Sequence, residues 1–351
     1  MKEERQPLRI GVVGTNFVSD WLVQAAQALP QFSAEPVQVT AVYSRAQATG
    51  DAFAARHGIP LVFTDYEAML HSPQVDAVYI ASPNVAHCAQ ALAAAAAGKH
   101  ILCEKVIAVN GRELAAMRAA AEKNGVVLME AMRPVYDPAL ALIREALPGL
   151  GPLRRVSLEY CQYSSRYPAF LAGQRPNAFD PTLSNAAIMD IGVYCVAVCA
   201  ALFGAPQRLH AAASFLENGF EAGGSLLLQY SGFQVQLSYS KITESVTPSV
   251  FQGEQGSLTV DKISVPRRLT LQPYRRTNAG SPGMQPAQAA GGQALPYTPA
   301  ENNMVYELAA FARLVRQGCV RHPGLEVSAV QMAILDEARR QNGVIFPADR
   351  A

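Results

Sequence analysis

In the stretch GKHILCEKV (98–106) an apolar run ends on Glu104 and Lys105 side by side, an acid and an ammonium where a strand leaves the core. A buried lysine loses solvation and its pKa falls, so chains rarely place one near a core without a partner or a reaction to serve. Proton transfer is one such reaction, and a solvated ion pair at the strand end is the plain alternative. A second cue is GVVGTNFVSD (11–20), which follows the first apolar strand and opens a helix, where a dinucleotide fingerprint belongs. The pattern G-x-G-x-x-G/A appears there as Gly14-Thr15-Asn16-Phe17-Val18-Ser19, with only the first glycine kept. Gly14 suits the tight turn, and Ser19 is small enough for the packing role of the third glycine. Asn16 stands where the backbone should approach a pyrophosphate, and asparagine tolerates positive φ better than most residues, so an unusual backbone conformation is expected there. An ordinary βα turn that binds nothing is the competing reading. The six cysteines are scattered without a C-x-x-C pair and read as reduced thiols. Cys195 and Cys199 are one helical turn apart but lack a histidine beside them, so small buried hydrophobes are expected rather than a zinc site, and no metal is proposed.

Both cues need a scaffold that gathers strand ends. The runs LRIGVVG (8–14), VQVTAVYS (37–44), LVF (61–63), DAVYIAS (76–82), HILCE (100–104) and VVLME (126–130) are apolar and suited to a parallel sheet buried on both faces. Ala-rich helical stretches such as HCAQALAAAAAGK and GRELAAMRAAAEKNG separate them, and this alternation predicts right-handed βαβ units and a doubly wound sheet. Such sheets bind ligands at the carboxyl ends of their strands, where Ser82, Glu104 and Glu130 stand. After residue 150 the pattern becomes period-two, as in RRVSLEYCQY, and LLLQYSGFQVQLSY turns at Ser231-Gly232 as an antiparallel hairpin. One long helix is expected from about Asn185 to Phe203, and two more close the chain, in NNMVYELAAFARLVRQG and VSAVQMAILDEARRQNG. Residues 274–300, rich in Gly, Pro, Gln and Ala, read as a mobile excursion. The predicted fold class is α/β: a Rossmann dinucleotide-binding domain over 1–130, then an α+β domain over 131–351 for substrate binding and oligomerisation, with an open, mainly antiparallel sheet.

Length and composition agree with this. The 351 residues, 50% of them hydrophobic, can bury roughly two cores of ordinary size. Basic and acidic residues number 29 and 28, so no broad basic surface points to nucleic acid or an anionic membrane, and a small neutral or mildly polar substrate fits better. The start MKEERQPLRIGVVG is charged and enters a strand directly, and no apolar run reaches the ~18 residues of a membrane span, which reads as a cytoplasmic protein.

Taken together, VYIASPNVAHCAQALAAAAAGKHILCEK (78–105), MEAMRPVYDPAL (129–140), MDIGVYCV (189–196), NMVYELAAFARLV (303–315) and LDEARRQNGVIFPAD (335–349) resemble the Gfo/Idh/MocA family of NAD(P)-dependent oxidoreductases. The resemblance covers nearly the whole chain. It implies that Lys105, the lysine of an E-K-P motif, lies beside the nicotinamide; here Val106 replaces the proline, which suggests a slightly looser site. It also draws the second half of the site from DIGVY, where Asp190 and Tyr194 are four apart and share one face of the predicted helix. Tyrosine rather than histidine at 194 looks like the glucose-fructose oxidoreductase and dihydrodiol dehydrogenase branch. The structural alternatives are a helix N-cap for Asp190 and a satisfied buried hydroxyl for Tyr194.

The resemblance implies a dehydrogenase or reductase, acting on CH–OH groups, that moves a hydride to or from a sugar, cyclic polyol or related diol or carbonyl. Tyr194 would be the acid/base. A phenol near pKa ~10 is a weak base at neutral pH, so Lys105 should lower its pKa, with Asp190 orienting the lysine and Glu104 fixing the strand end. Ser82, Pro83, Asn84 and His87, after the fourth strand, are expected along the cofactor with Gly14, Thr15, Asn16 and Phe17; a helix-start role for Asn84 competes. Arg133 either contacts substrate or joins the domains. No acid ends the second strand, where AVYSRAQATG offers Ser44 and Arg45 for a 2′-phosphate, so NADP(H) is expected ahead of NAD(H). A homodimer or homotetramer is expected. A nucleotide-binding regulator that kept the fold and lost turnover, and a reductase of another substrate class such as a biliverdin-type pigment, are the rival readings.

Overall fold

The structure, a computed structural model, describes residues 6–274 and 291–350. Strands β1 (Leu8–Val13), β2 (Val37–Tyr43), β3 (Leu61–Phe63), β4 (Ala77–Ile80), β5 (His100–Glu104) and β6 (Leu128–Ala131) alternate with helices α1 (Phe17–Ala28), α2 (Gln47–His57), α3 (Tyr66–Leu70), α4 (Asn84–Ala96) and α5 (Gly111–Asn124). The strands pair in parallel in the order β3-β2-β1-β4-β5-β6. The order reverses between β1 and β4, which opens a crevice at the carboxyl ends of those strands. Ile10, Val12, Val78, Tyr79, Ile80 and Leu102 are buried on both faces of this sheet, the reason these segments carry no polar alternation.

Short helices α6 (Arg133–Tyr136) and α7 (Pro138–Ala146) lead to β7 (Leu153–Cys161), then α8 (Tyr167–Leu171) and α9 (Val193–Phe203). Strands β8 (Arg208–Phe215), β9 (Glu221–Tyr230), β10 (Phe233–Ser240), β11 (Ser249–Gly253), β12 (Gly256–Val260), β13 (Leu269–Pro273) and β14 (Gln293–Ala294) complete a second sheet, and α10 (Met304–Arg316) and α11 (Pro323–Asn342) close the chain. Its order is β14-β13-β12-β11-β7-β10-β9-β8, and every pair is antiparallel except β10 with β7. The hairpin expected at Ser231-Gly232 joins β9 to β10, with Gly232 at φ +86° as a two-residue turn requires. Val156, Leu158, Leu226, Leu228, Val235 and Leu237 face the core, and their neighbours Leu227 and Gln229 face out.

Three expectations need correction. The helix read from about Asn185 to Phe203 begins at Ile188, and its first turn, Ile188–Gly192, is π-helical. α11 begins at Pro323, ahead of the VSAVQ stretch, because proline fits the first turn of a helix. Of the excursion read over 274–300, residues 275–290 lie outside the described residues, but Gln293–Ala294 pair with β13 and the Tyr297 hydroxyl donates to Asp137 Oδ1 at 2.7 Å, so this part is built into the sheet.

Candidate active site

The strand end that carries Glu104 and Lys105 separates the two side chains. The Glu104 carboxylate accepts from the Tyr79 hydroxyl at 2.5 Å and from the Lys105 backbone N–H at 3.2 Å. Lys105 Nζ reaches across to the second half of the chain and donates to Asp190 Oδ1 at 2.5 Å and to the Asp190 carbonyl oxygen at 2.9 Å. The simple Glu104–Lys105 ion pair is therefore not what forms. The π-helical turn places Asp190 so that its carboxylate and carbonyl both meet one ammonium, and such turns recur at functional sites. The N-cap alternative for Asp190 does not hold, since this helix has no side-chain cap.

Lys241, at the end of β10, completes the arrangement and was not foreseen. Its Nζ lies 2.9 Å from Asp190 Oδ2 and donates to the Ala178 carbonyl at 2.8 Å, over the rings of Phe179 and Phe220. Asp190 is thus gripped by a lysine on each oxygen. Burial opposes its ionisation, yet Lys105 and Lys241 hold its carboxyl well below the usual carboxylate range. Burial alone would lower the Lys105 pKa, as the sequence suggested, but Asp190, Tyr194 and Glu104 raise it above its ordinary value. Lys105 is a fixed ammonium, not a lysine poised to lose its proton.

Tyr194, one turn beyond Asp190 on α9, is buried with its ring ringed by cations. Lys105 Nζ lies 5.1 Å and Arg133 Cζ 5.6 Å from the ring centroid, and Arg133 Nη2 donates to the Tyr194 hydroxyl at 3.1 Å. Among the described residues the guanidinium of Arg133, not the lysine, is bonded to the hydroxyl. Tyr160 packs edge-on against Tyr194 at 5.5 Å, and Arg133 also covers the ring of Trp21. Lys105, Asp190, Tyr194, Arg133, Glu104, Phe17 and Lys241 line one cleft of about 420 Å³ with Gln162, Tyr163, Ser164 and Ser165.

A second cleft, of about 860 Å³, runs along the carboxyl ends of β1, β2 and β4 and is lined by Gly14, Thr15, Asn16, Ser44, Arg45, Ser82 and Pro83. Its chemistry fits a dinucleotide. Gly14 has φ +104°, and a side chain there would meet the Ala81 carbonyl oxygen at 3.1 Å, so the turn keeps a backbone floor at the N-terminus of α1. No carboxylate stands at the end of β2, and the exposed Arg45 has no ion pair or hydrogen bond among the described residues. Asn16 departs from its expected role. Its backbone is extended at φ −83° and ψ 176°, and its side chain caps α1 by accepting from Val18 and Ser19 N–H while Nδ2 donates to the Ala81 carbonyl at 2.7 Å. A cap needs an oxygen acceptor in extended backbone, so asparagine serves here without positive φ.

Other expected cofactor contacts are engaged within the protein. His87 is fully buried between the carbonyls of Val106 and Ser82, each 2.9 Å away, and burial lowers its pKa; it clamps the loop after β5 and does not line the cleft. The Ser44 hydroxyl is buried against Thr49 Oγ1, which leaves Arg45 as the polar group presented at that strand end. Asn84 does not cap α4, where Pro83 takes the cap position; its Nδ2 donates to the Ser184 carbonyl at 3.2 Å and ties the two halves of the chain. Ser82 donates to Gln90 Oε1. The Lys105–Val106 peptide is cis.

A family model described as an oxidoreductase family with an NAD-binding Rossmann fold matches residues 8–132, and the model of the GFO/IDH/MocA C-terminal domain matches residues 147–259. The chain is 39% identical to scyllo-inositol 2-dehydrogenase (NADP(+)) IolU of Bacillus subtilis, over 98% of this chain and 100% of that one. It is 30% identical to trans-1,2-dihydrobenzene-1,2-diol dehydrogenase of Mus musculus, over 98% and 99%. Among solved structures, a 3-ketoreductase from Actinomadura kijaniata in complex with NADP and TDP-benzene superposes with a TM-score of 0.78 at 25% identity, covering 96% of this chain and 98% of that one.

Proposed function

This chain belongs to the Gfo/Idh/MocA oxidoreductase family, an NAD(P)-dependent enzyme acting on CH–OH groups, and we propose that it is an NADP(H)-preferring dehydrogenase or reductase of a sugar, cyclic polyol or related diol or carbonyl. The observation that carries this reading is the convergence of Lys105, held by Asp190, and Arg133 on Tyr194 in a cleft beside the dinucleotide crevice. The bound nicotinamide supplies the hydride acceptor or donor. The chain's own residues manage the proton. When a substrate hydroxyl is oxidised, the Tyr194 oxygen takes its proton, and in reduction the same group returns it to the carbonyl oxygen. Arg133, already donating to that oxygen, meets the charge that develops on it. Lys105, kept cationic by Asp190 and 5.1 Å from the centre of the Tyr194 ring, polarises the reacting oxygen.

The hydroxyls and amide of Gln162, Tyr163, Ser164 and Ser165 suit a polyhydroxylated ligand. On this reading Gly14, Thr15 and Asn16 hold the dinucleotide, and Arg45 takes the 2′-phosphate. The reading also keeps a division into a cofactor domain, 1–130, and a substrate and assembly domain, 131–351, in a cytoplasmic homodimer or homotetramer. Exposed Phe215 and Leu227 on the second sheet support the assembly. No helix among the described residues is long and apolar enough to cross a membrane. The test is turnover with NADPH against a panel of sugars, inososes and diketones. Lys105→Met and Tyr194→Phe should each lower kcat by at least ~100-fold and leave NADPH affinity nearly as it was. Near-wild-type turnover in either variant would falsify the pair and favour a regulator without turnover.

A further inference from the structure

The near-zero net charge of the chain conceals a local excess of cations. The charged residues lining the catalytic cleft are Lys105, Arg133, Lys241 and Lys262 against Glu104 and Asp190. Both carboxylates are already committed: Asp190 to Lys105 and Lys241, Glu104 to the Tyr79 hydroxyl and its neighbour's backbone N–H. Glu307, fully buried on α10 and without a hydrogen-bond partner among the described residues, has its pKa pushed well above the usual range by burial and by Glu104, against the pull of Arg133. Arg133 and Lys262 form no ion pair among the described residues; Glu307 and Glu104 lie near enough to Arg133 to raise its pKa, whereas Lys262 has no such neighbour in the cleft lining. Arg133 makes one side-chain hydrogen bond, to Tyr194, and has further N–H donors to offer. Lys262 is exposed, follows β12, and lies 5.4 Å above the ring of Tyr160, the same ring that packs on Tyr194. A lysine laid over an aromatic face at the mouth of a cleft keeps its charge and its three donors for a ligand.

Resting on the oxidoreductase reading, we propose that the substrate carries an anionic group, a carboxylate or phosphoryl on the sugar or polyol, and that Lys262 is its primary counter-ion with Arg133 in support. This replaces the neutral substrate that overall composition suggested. Net charge speaks to the whole surface, whereas a partly enclosed cleft concentrates the field of the few charges that line it.

The test uses Trp21, the only tryptophan of the chain, which lines this cleft and reports ligand binding without turnover. The NADP⁺-loaded protein is titrated with D-glucose, D-glucuronate and D-glucose 6-phosphate, following Trp21 fluorescence. At least one anionic sugar should bind about tenfold or more tightly than glucose, and which one distinguishes carboxylate from phosphoryl. Lys262→Met should bring that ligand's affinity down towards that of glucose, and Lys262→Arg should keep the preference. Equal affinities in the wild type, no response to any of the three, or a Lys262→Met protein that keeps the full preference overturns the proposal. A Lys262→Met protein that binds NADP⁺ itself much more weakly also overturns it, by assigning the lysine to a cofactor phosphate. Turnover of the same sugars is measured separately. Selective binding of an anionic sugar without any NADP(H)-dependent conversion retires the oxidoreductase role of the pair and leaves the anion site standing.

Discussion

Lys241 bonds to Asp190, so on the proposed mechanism it is a positioning residue, and its loss should be read through Asp190. Lys241→Met leaves one oxygen of Asp190 without its lysine and frees the carboxylate to swing with Lys105. Small displacements of a catalytic group are costly, so kcat should fall by roughly 10–100-fold while NADPH affinity holds. Lys241→Arg, with its charge kept, should recover part of the loss; kinetics of both variants decide, and an unaltered kcat in Lys241→Met ends the positioning role. Nothing in YSKITES ties this lysine to an aspartate far upstream, and the only sequence cue was its place just past a strand end, which it shares with Lys105. Asn16 is the opposite case: its position was legible but its task was not, because a fingerprint fixes where a residue stands and not whether its backbone or its side chain is used. Arg45 stands exposed where the sequence placed it, and its proposed task is the 2′-phosphate. Its guanidinium is free at the end of β2, and a charge-assisted bond to a 2′-phosphate contributes about 1.5–3 kcal/mol. NADPH should bind at least ~10-fold more tightly than NADH, and Arg45→Ala should remove most of the gap while sparing NADH. Fluorescence titration of both cofactors measures it, and a wild type that prefers NADH defeats the assignment.

At the scale of elements, the parallel strands were readable because burial on both faces leaves the inner ones, such as β4 with AVYI, almost wholly apolar, and β2 and β3 are rich enough in β-branched and aromatic residues to be read beside them. Those of the second sheet were readable only where period-two alternation was strong. β8 passed unread because its outward side chains, and several inward ones, are small or polar, as in RLHAAASF. The π-helical turn at Ile188–Gly192 has no periodicity signature in so apolar a segment, and that turn is what aims Asp190. The closing element shows a different kind of bond, one that follows pH. Asp349, after α11, accepts from Arg339, from Asn110 at the cap of α5, and from the Phe346 N–H. Burial opposes its ionisation, but these donors, Arg339 first, lower its pKa to about 2. A carboxyl whose folded pKa lies below its unfolded value stabilises the fold fully above the unfolded pKa, near ~4, and loses that contribution as pH falls towards the folded value. Asp349→Asn should therefore cost roughly 1–2 kcal/mol at pH 7, allowing for solvent screening, and little at pH 2. Denaturant melts at both pH values check the sign, and a deficit that grows in acid contradicts it.

Over the whole molecule, α11 is the element that determines whether the two sheets behave as one body. It bonds to the parallel sheet through Glu130 on β6, whose buried carboxylate accepts from Ser328 and Gln331 on the helix and from the Ile107 N–H, and through His322, which meets the Leu128 carbonyl just before the helix starts. At its other end Gln341 accepts from the Ala211 N–H and donates to the Leu209 carbonyl on β8 of the second sheet. Asn84 adds a bond between α4 and the Ser184 carbonyl. Buried apolar residues from both sheets, Val78 and Ile101 with Val156 and Leu228, belong to one continuous cluster that includes Leu335 and Ala338 of α11. Stripping α11 would take the two helix donors, Ser328 and Gln331, from the Glu130 carboxylate, each such loss costing about 1–3 kcal/mol. The protein should therefore melt in a single calorimetric transition whose van't Hoff and calorimetric enthalpies agree, although a chain of 351 residues with two sheets could otherwise melt in two steps. Glu130→Ala should shift that transition down and broaden it, because the helix then loses its buried carboxylate bonds to β6 and keeps only those of His322, Asp336 and Arg339 to the first half of the chain. Two resolved transitions in the wild-type protein would show that each sheet is stable without the helix that joins them.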